Sequence, residues 1–167
     1  KFRFFRNNPD DPNTISSNFV HCVTEDKYGH LWLGTGQVIG GIEKVIMENP
    51  AFEHYLPEKE PSDILDNVAR AILEDKNKYL WVATKSGKIH LFDNNMFQVR
   101  IYNSLPGIGK KSYRNTTYSI FIDNERFLWL GSKGYGISVS EKPLDKLNSN
   151  YANISFRRYE FSENDET

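Results

Sequence analysis

Three tryptophans recur along this chain inside one repeated phrase, at spacings of 49 and 48 residues. The copies read Glu25-Asp-Lys-Tyr-Gly-His-Leu-Trp-Leu-Gly-Thr35, Glu74-Asp-Lys-Asn-Lys-Tyr-Leu-Trp-Val-Ala-Thr84 and Ile122-Asp-Asn-Glu-Arg-Phe-Leu-Trp-Leu-Gly-Ser132. An Asp stands 6 residues before each Trp (Asp26, Asp75, Asp123) and an Asn stands 14 before it (Asn18, Asn67, Asn115). Agreement at several columns over three copies marks a true repeat. A period of about 40 to 50 residues built from short strands is the signature of a β-propeller blade. The expected fold is all-β, with three four-stranded antiparallel units around Trp32, Trp81 and Trp129.

The pattern divides the chain as follows. Residues 1–17 hold an outer strand, Phe2–Phe5, and a connection from a preceding blade. The blades are 18–55, 67–102 and 115–159, joined by connections at 56–66 and 103–114, and 160–167 is a tail. A closed ring needs roughly 4 to 8 blades. Three units are therefore expected to belong to a larger propeller, and the chain reads as a piece of a longer protein. The exposed ends predict contact with neighbouring blades and self-association of the piece.

Within each unit the first strand is short and apolar on both faces, at Phe19–Thr24, Val68–Leu73 and Thr116–Phe121, as a strand sandwiched between blades requires. The column ten before Trp holds Cys22, Ala71 and Ser119. Small side chains suit the innermost strand, so Cys22 reads as a packed residue and not a reactive thiol. Each Asp opens a tight reversal, because its carboxylate accepts from amides two residues on. Gly29 occupies a left-handed turn position; Lys78 and Arg126 stand in its place in the other units, at a cost of about 1 kcal/mol if the turn is the same. Each Trp is expected to wedge between blades.

The extended phrase Asn-x-Val-x-x-Ile-x-x-Asp-x-x-Gly-x-Leu-Trp-Leu-Gly-Thr-x-x-Gly-Gly-Ile resembles the two-component regulator propeller repeat, over about residues 15 to 159. The first unit matches it at Asn18, Val20, Asp26, Gly29, Leu31, Trp32, Gly34, Thr35, Gly40 and Gly41. The second has Lys78 for the turn glycine and Ala83 for the glycine after Trp; the third has Ser132 for Thr. The resemblance implies the sensor region of a bacterial hybrid two-component regulator, built from seven-bladed propellers and located in the periplasm. It further implies an oligosaccharide ligand and control of polysaccharide utilisation. A histidine kinase and a DNA-binding output would lie in other domains.

Composition narrows the alternatives. Net charge is −1 with no basic run, so no nucleic-acid surface is expected here. No apolar stretch approaches the ~20 residues of a membrane-spanning helix, so no membrane contact is expected either. Cys22 is the sole cysteine, which excludes an intramolecular disulfide. His21, His30, His54 and His90 are scattered without metal-ligand spacing, so no metal and no cofactor are predicted. No nucleophile elbow or phosphate-binding loop is present, and Asp26, Asp75 and Asp123 each serve their own turn. No catalytic residue is assigned.

What remains is a binding surface. In a four-stranded blade the starts of the inner strands and the turns between second and third strands share one rim. Residues there that differ between units are released from the repeat. They are His21, Arg70 and Tyr118, eleven before each Trp, with Gln37, Lys85, Lys133 and Tyr135 on the turns. Such planar and hydrogen-bonding groups suit a sugar or an acidic sugar. An enzymatic propeller of the lyase or glycosidase type would need carboxylate, His or Tyr groups clustered in a rim pocket. A structural or protein-docking propeller would show a broad apolar patch instead.

Overall fold

The computed structural model describes residues 2–37, 40–46, 51–59, 64–103, 116–147 and 151–159. Among these residues twelve strands form three four-stranded sheets, each a simple up-and-down meander. The first blade holds β1 (Val20–Glu25), β2 (Leu31–Thr35), β3 (Ile42–Ile46) and β4 (Ala51–Tyr55). The second holds β5 (Ala69–Glu74), β6 (Leu80–Thr84), β7 (Lys88–Phe92) and β8 (Gln98–Asn103). The third holds β9 (Thr117–Ile122), β10 (Leu128–Ser132), β11 (Ile137–Ser140) and β12 (Phe156–Tyr159). Among the described residues the only helical segments are short 3-10 turns at Ile64–Asn67 and Leu144–Lys146. Among the described residues no helix is long and apolar enough to cross a membrane. Asn115, the 160–167 tail and nearly all of the 103–114 connection lie outside the described residues. Phe2–Phe5 has no ladder partner and is not a strand.

The repeated Asp and Trp act together. The indole N–H of each Trp donates to the Asp six residues earlier: Trp32 to Asp26 at 2.9 Å, Trp81 to Asp75 at 3.1 Å, Trp129 to Asp123 at 2.6 Å. The second carboxylate oxygen accepts backbone amides inside the turn, from Tyr28 and His30, from Asn77 and Tyr79, and from Phe127. One side chain thus shapes the first hairpin and fixes the indole of the next strand. Gly29, Lys78 and Arg126 have φ of 83°, 69° and 72°, so all three turns share one geometry. The two long side chains accept a left-handed backbone because the Asp bonds hold it there.

The repeated Asn clamps the connection that enters the blade. Asn67 Oδ1 accepts from the Glu58 amide at 2.7 Å and its Nδ2 donates to the Glu58 carbonyl at 2.8 Å. Asn18 Oδ1 accepts from the Asn7 amide at 2.8 Å.

Blades stack through the Trp faces. Trp32 and Ile42 of the first blade pack on Ala69, Ile72, Leu80, Val82 and Phe92 of the second. Trp81, Ile89 and Leu91 of the second pack on Leu128 and Leu130 of the third. Trp32 is 6% exposed and Trp81 fully buried, as expected, whereas Trp129 is only half-buried. Its sheet has a neighbour on one side only among the described residues. For the same reason β5 alone is enclosed on both faces, while β1 and β9 remain partly exposed.

Candidate functional site

The rim residues owe their position to a bulge repeated in every blade. Along β1 the ladder passes from Val20↔Thr35 to Cys22↔Gly34, which leaves His21 as an extra residue. Along β5 it passes from Ala69↔Thr84 to Ala71↔Ala83, leaving Arg70, and along β9 from Thr117↔Ser132 to Ser119↔Gly131, leaving Tyr118. A bulge frees one side chain from the alternation of its strand and re-aims it. Next to each bulge the opposed residues are small. A β-carbon on Gly34 would meet Cys22 Sγ at 2.5 Å, and Ser119 Oγ occupies the matching space at Gly131. Burial pushes the Cys22 thiol up to about 11, as suits an inert packed group.

The turn after the second strand returns to the same end. Gly36, Lys85 and Lys133 each donate a backbone N–H to the residue just before an inner strand, Phe19, Val68 and Thr116 respectively, all at 2.9 Å. The seven rim candidates therefore sit at one end of the three sheets.

Five of them form a continuous row. Arg70 Nη1 lies 2.7 Å from both ring nitrogens of His21, and its guanidinium carbon lies 5.6 Å from the centre of the Tyr118 ring. His21 Nε2 also bonds the Gly36 carbonyl. An arginine only donates and a carbonyl only accepts. A neutral ring with its proton on Nε2 would serve the Gly36 carbonyl and leave Nδ1 to accept from Arg70. Burial holds the His21 pKa below its ordinary value; Arg70 and Lys85 push the same way, and only the Gly36 bond opposes them. Lys85 Nζ donates to the Gln37 carbonyl at 3.3 Å, and its own carbonyl accepts from Thr116 Oγ1 at 2.9 Å. The row thus ties the three blades together.

Lys133 and Tyr135 do not join it. Tyr135 lies under the Arg158 guanidinium of the outer strand at 4.5 Å, and its carbonyl accepts from Arg158 Nε at 3.1 Å. Lys133 extends into solvent.

Two other polar clusters went unread in the sequence. Glu43 is fully buried in the first blade and accepts from the Ser16 amide at 3.2 Å and Thr35 Oγ1 at 3.1 Å. The Ser16 hydroxyl and His54 Nδ1 bond the same carboxylate, and His54 Nε2 faces the Pro12 carbonyl at 2.9 Å. Ser16 and His54 thus meet on one carboxylate and not on each other. In the second blade Lys88 bridges Glu58 at 2.6 Å and Asp66 at 2.9 Å. His90, fully buried, accepts at Nδ1 from Gln98 at 2.9 Å, and burial depresses its pKa to about 4. Glu43, His90 and Ser138 share one buried column of the third strand, but three different residue types there do not read as a repeat.

Residues 14–37 and 63–86 match the family model of the two component regulator propeller. None of the curated proteins matches the sequence. Among solved structures, the extracellular domain of the hybrid two component system BT3049 from B. thetaiotaomicron is similar over 96% of this chain and 24% of that one. Identity there is 20% and the TM-score 0.43. The extracellular domain of the hybrid two component system BT4673, from the same organism, is similar over 76% of this chain and 22% of that one, at 19% identity and a TM-score of 0.48. The chain spans about a quarter of the length of those domains.

Proposed function

We propose that this chain, which carries two component regulator propeller repeats, is a sensory propeller segment that recognises an oligosaccharide at the rim bearing His21, Arg70 and Tyr118. It performs no chemistry on that ligand. In this reading it works in the periplasm, and occupancy is relayed to a kinase and DNA-binding output elsewhere in a longer protein. One observation carries the reading: three bulges deliver three dissimilar polar side chains to one continuous row across the blades. Among the described residues that row contains no carboxylate, so it lacks the acid pair on which a glycosidase depends.

The test is titration of the protein with a panel of oligosaccharides, followed by Arg70→Ala and Tyr118→Ala. Each variant should weaken binding by about 1 to 3 kcal/mol, the range for a lost polar partner, with the unfolding midpoint unchanged. Unchanged affinity in both would move the site elsewhere.

A second reading, docking of a further blade, is favoured by one surface. Val20, Val23, Leu31, Leu33 and Val45 occupy in the first blade the positions of Ala69, Ile72, Leu80, Val82 and Phe92, which receive Trp32 in the second. Val20 and Val23 are exposed, and four of the five line an open apolar groove with Phe4, Phe5 and Phe52. The Trp129 face of a second copy, or a separate blade, fits that groove. Sedimentation across a concentration series, wild type against Val23→Glu, checks it. A monomer at every concentration in both would count against self-association.

A further inference from the structure

We infer that the rim row is built for an acidic sugar, with a ring carboxylate or sulfate seated on Arg70 and the sugar face laid against Tyr118. The inference rests on the oligosaccharide reading above and adds the charge of the ligand. Its first support is an unneutralised guanidinium. The ion pairs among the described residues all lie elsewhere, and none involves Arg70, Lys85 or Lys133. Arg70 Nε is buried without a hydrogen-bond partner. That buried atom is closed to a ligand, so only the Nη edge of the guanidinium can receive one.

The second support is pre-organisation. His21 fixes one edge of the guanidinium through Nη1, and Tyr118 lies beside the group at 5.6 Å. Nη2 and one further Nη1 proton therefore remain for a ligand, in the planar fork that matches a carboxylate or sulfate. Holding that fork in advance removes most of the ordering cost that a free arginine incurs on binding. Lys85 stands one turn away, anchored to Gln37, and adds a second positive charge without closing the first. Third, Tyr118 is half exposed, at 50%, and sets an aromatic ring 5.6 Å from the same guanidinium, the kind of surface on which a sugar face stacks. A neutral glycan would leave the cation without a counter-charge; an inorganic anion would leave the aromatic face bare.

The experiment follows the His21 and Tyr118 ring signals of the protein by NMR while glucuronate, glucose 6-sulfate, glucose or inorganic sulfate is added to high millimolar concentration. Glucuronate and glucose 6-sulfate should shift both residues saturably, and added salt should weaken them. Glucose and sulfate alone should bind at least ten-fold more weakly. Arg70→Gln should abolish the preference for the acidic sugars. If glucose binds as well as the acids, the charge inference falls while the sugar reading stands. If inorganic sulfate binds as tightly as glucose 6-sulfate, the row is an anion site with no sugar recognition, and the inference falls. If none of the four shifts these signals, the inference falls too, and the oligosaccharide titration then decides the sugar reading separately.

Discussion

Cys22 stands directly across the ladder from Gly34, and its sulfur fills the space that a β-carbon on Gly34 would need. The equivalent pair in the second blade is Ala71 and Ala83, and in the third Ser119 and Gly131. The total volume at this point is held constant while the two residues trade it. Gly34→Ala alone should therefore destabilise by about 1 to 3 kcal/mol, as overpacking does. Cys22→Ala with Gly34→Ala copies the second blade and should recover most of the loss. Recovery will be incomplete because Ala69 also approaches the site at 3.2 Å. Urea unfolding of the two singles and the double checks the coupling; strict additivity would refute it.

Asp75 should matter more than its counterparts. Its carboxylate accepts from the Trp81 indole, the Asn77 and Tyr79 amides, and the Tyr151 hydroxyl at 2.9 Å. Tyr151 reaches it from the β11–β12 connection of the third blade, where its φ is 49°, and its ring packs on Trp81 at 5.4 Å. Asp75→Ala strands two buried donors and should cost about 2 to 5 kcal/mol. Tyr151→Phe removes that bond and the one its hydroxyl accepts from Asn77 and should cost about 1 to 2 kcal/mol. Asp123→Ala, on an open face, should cost clearly less than Asp75→Ala. Chemical denaturation of the three variants ranks them.

His90 predicts an acid limb in stability. Its native pKa lies near 4 against an ordinary 6.5, chiefly because burial disfavours the charged ring. The unfolded chain then binds a proton below pH 6.5 that the native state refuses until about pH 4. Stability from this group is complete above pH 6.5 and falls as pH drops toward 4, by up to roughly 3 kcal/mol. The difference in unfolding free energy between wild type and His90→Gln should follow that window. A difference independent of pH would show that His90 is not the titrating group.

The left-handed turns offer a gain. Lys78→Gly relieves a side chain at φ 69° and should stabilise by a few tenths to about 1 kcal/mol. Arg126→Gly should gain less, because it also loses the bond from Arg126 Nε to Asp145 at 3.2 Å. Thermal melts of the two variants compare them directly.

The strands, their antiparallel order and the shared turn were legible in the sequence because they follow from local rules. Asp at a turn start, a left-handed position three on, and apolar residues alternating around Trp are all set by neighbours within about ten residues. The spacing of six between Asp and Trp was equally visible. That the two side chains meet through the indole N–H follows only once the hairpin is closed, and the repeat does not display it. Likewise the dissimilarity of His21, Arg70 and Tyr118 marked them as free of the repeat, but not that each is the extra residue of a bulge.

Only the stacking of blades decided the rest. His21 and Arg70 lie 49 residues apart in the chain and within hydrogen-bonding distance in space, so the held guanidinium has no local cause. The same stacking buries Trp81 completely and leaves Trp129 half-exposed, although their sequence surroundings are nearly the same. It brings Tyr151, a residue outside the repeat, onto Asp75. Periodic local bonding determined what each blade is. The long-range burial of one blade face on the next determined which of its side chains are left to meet a ligand.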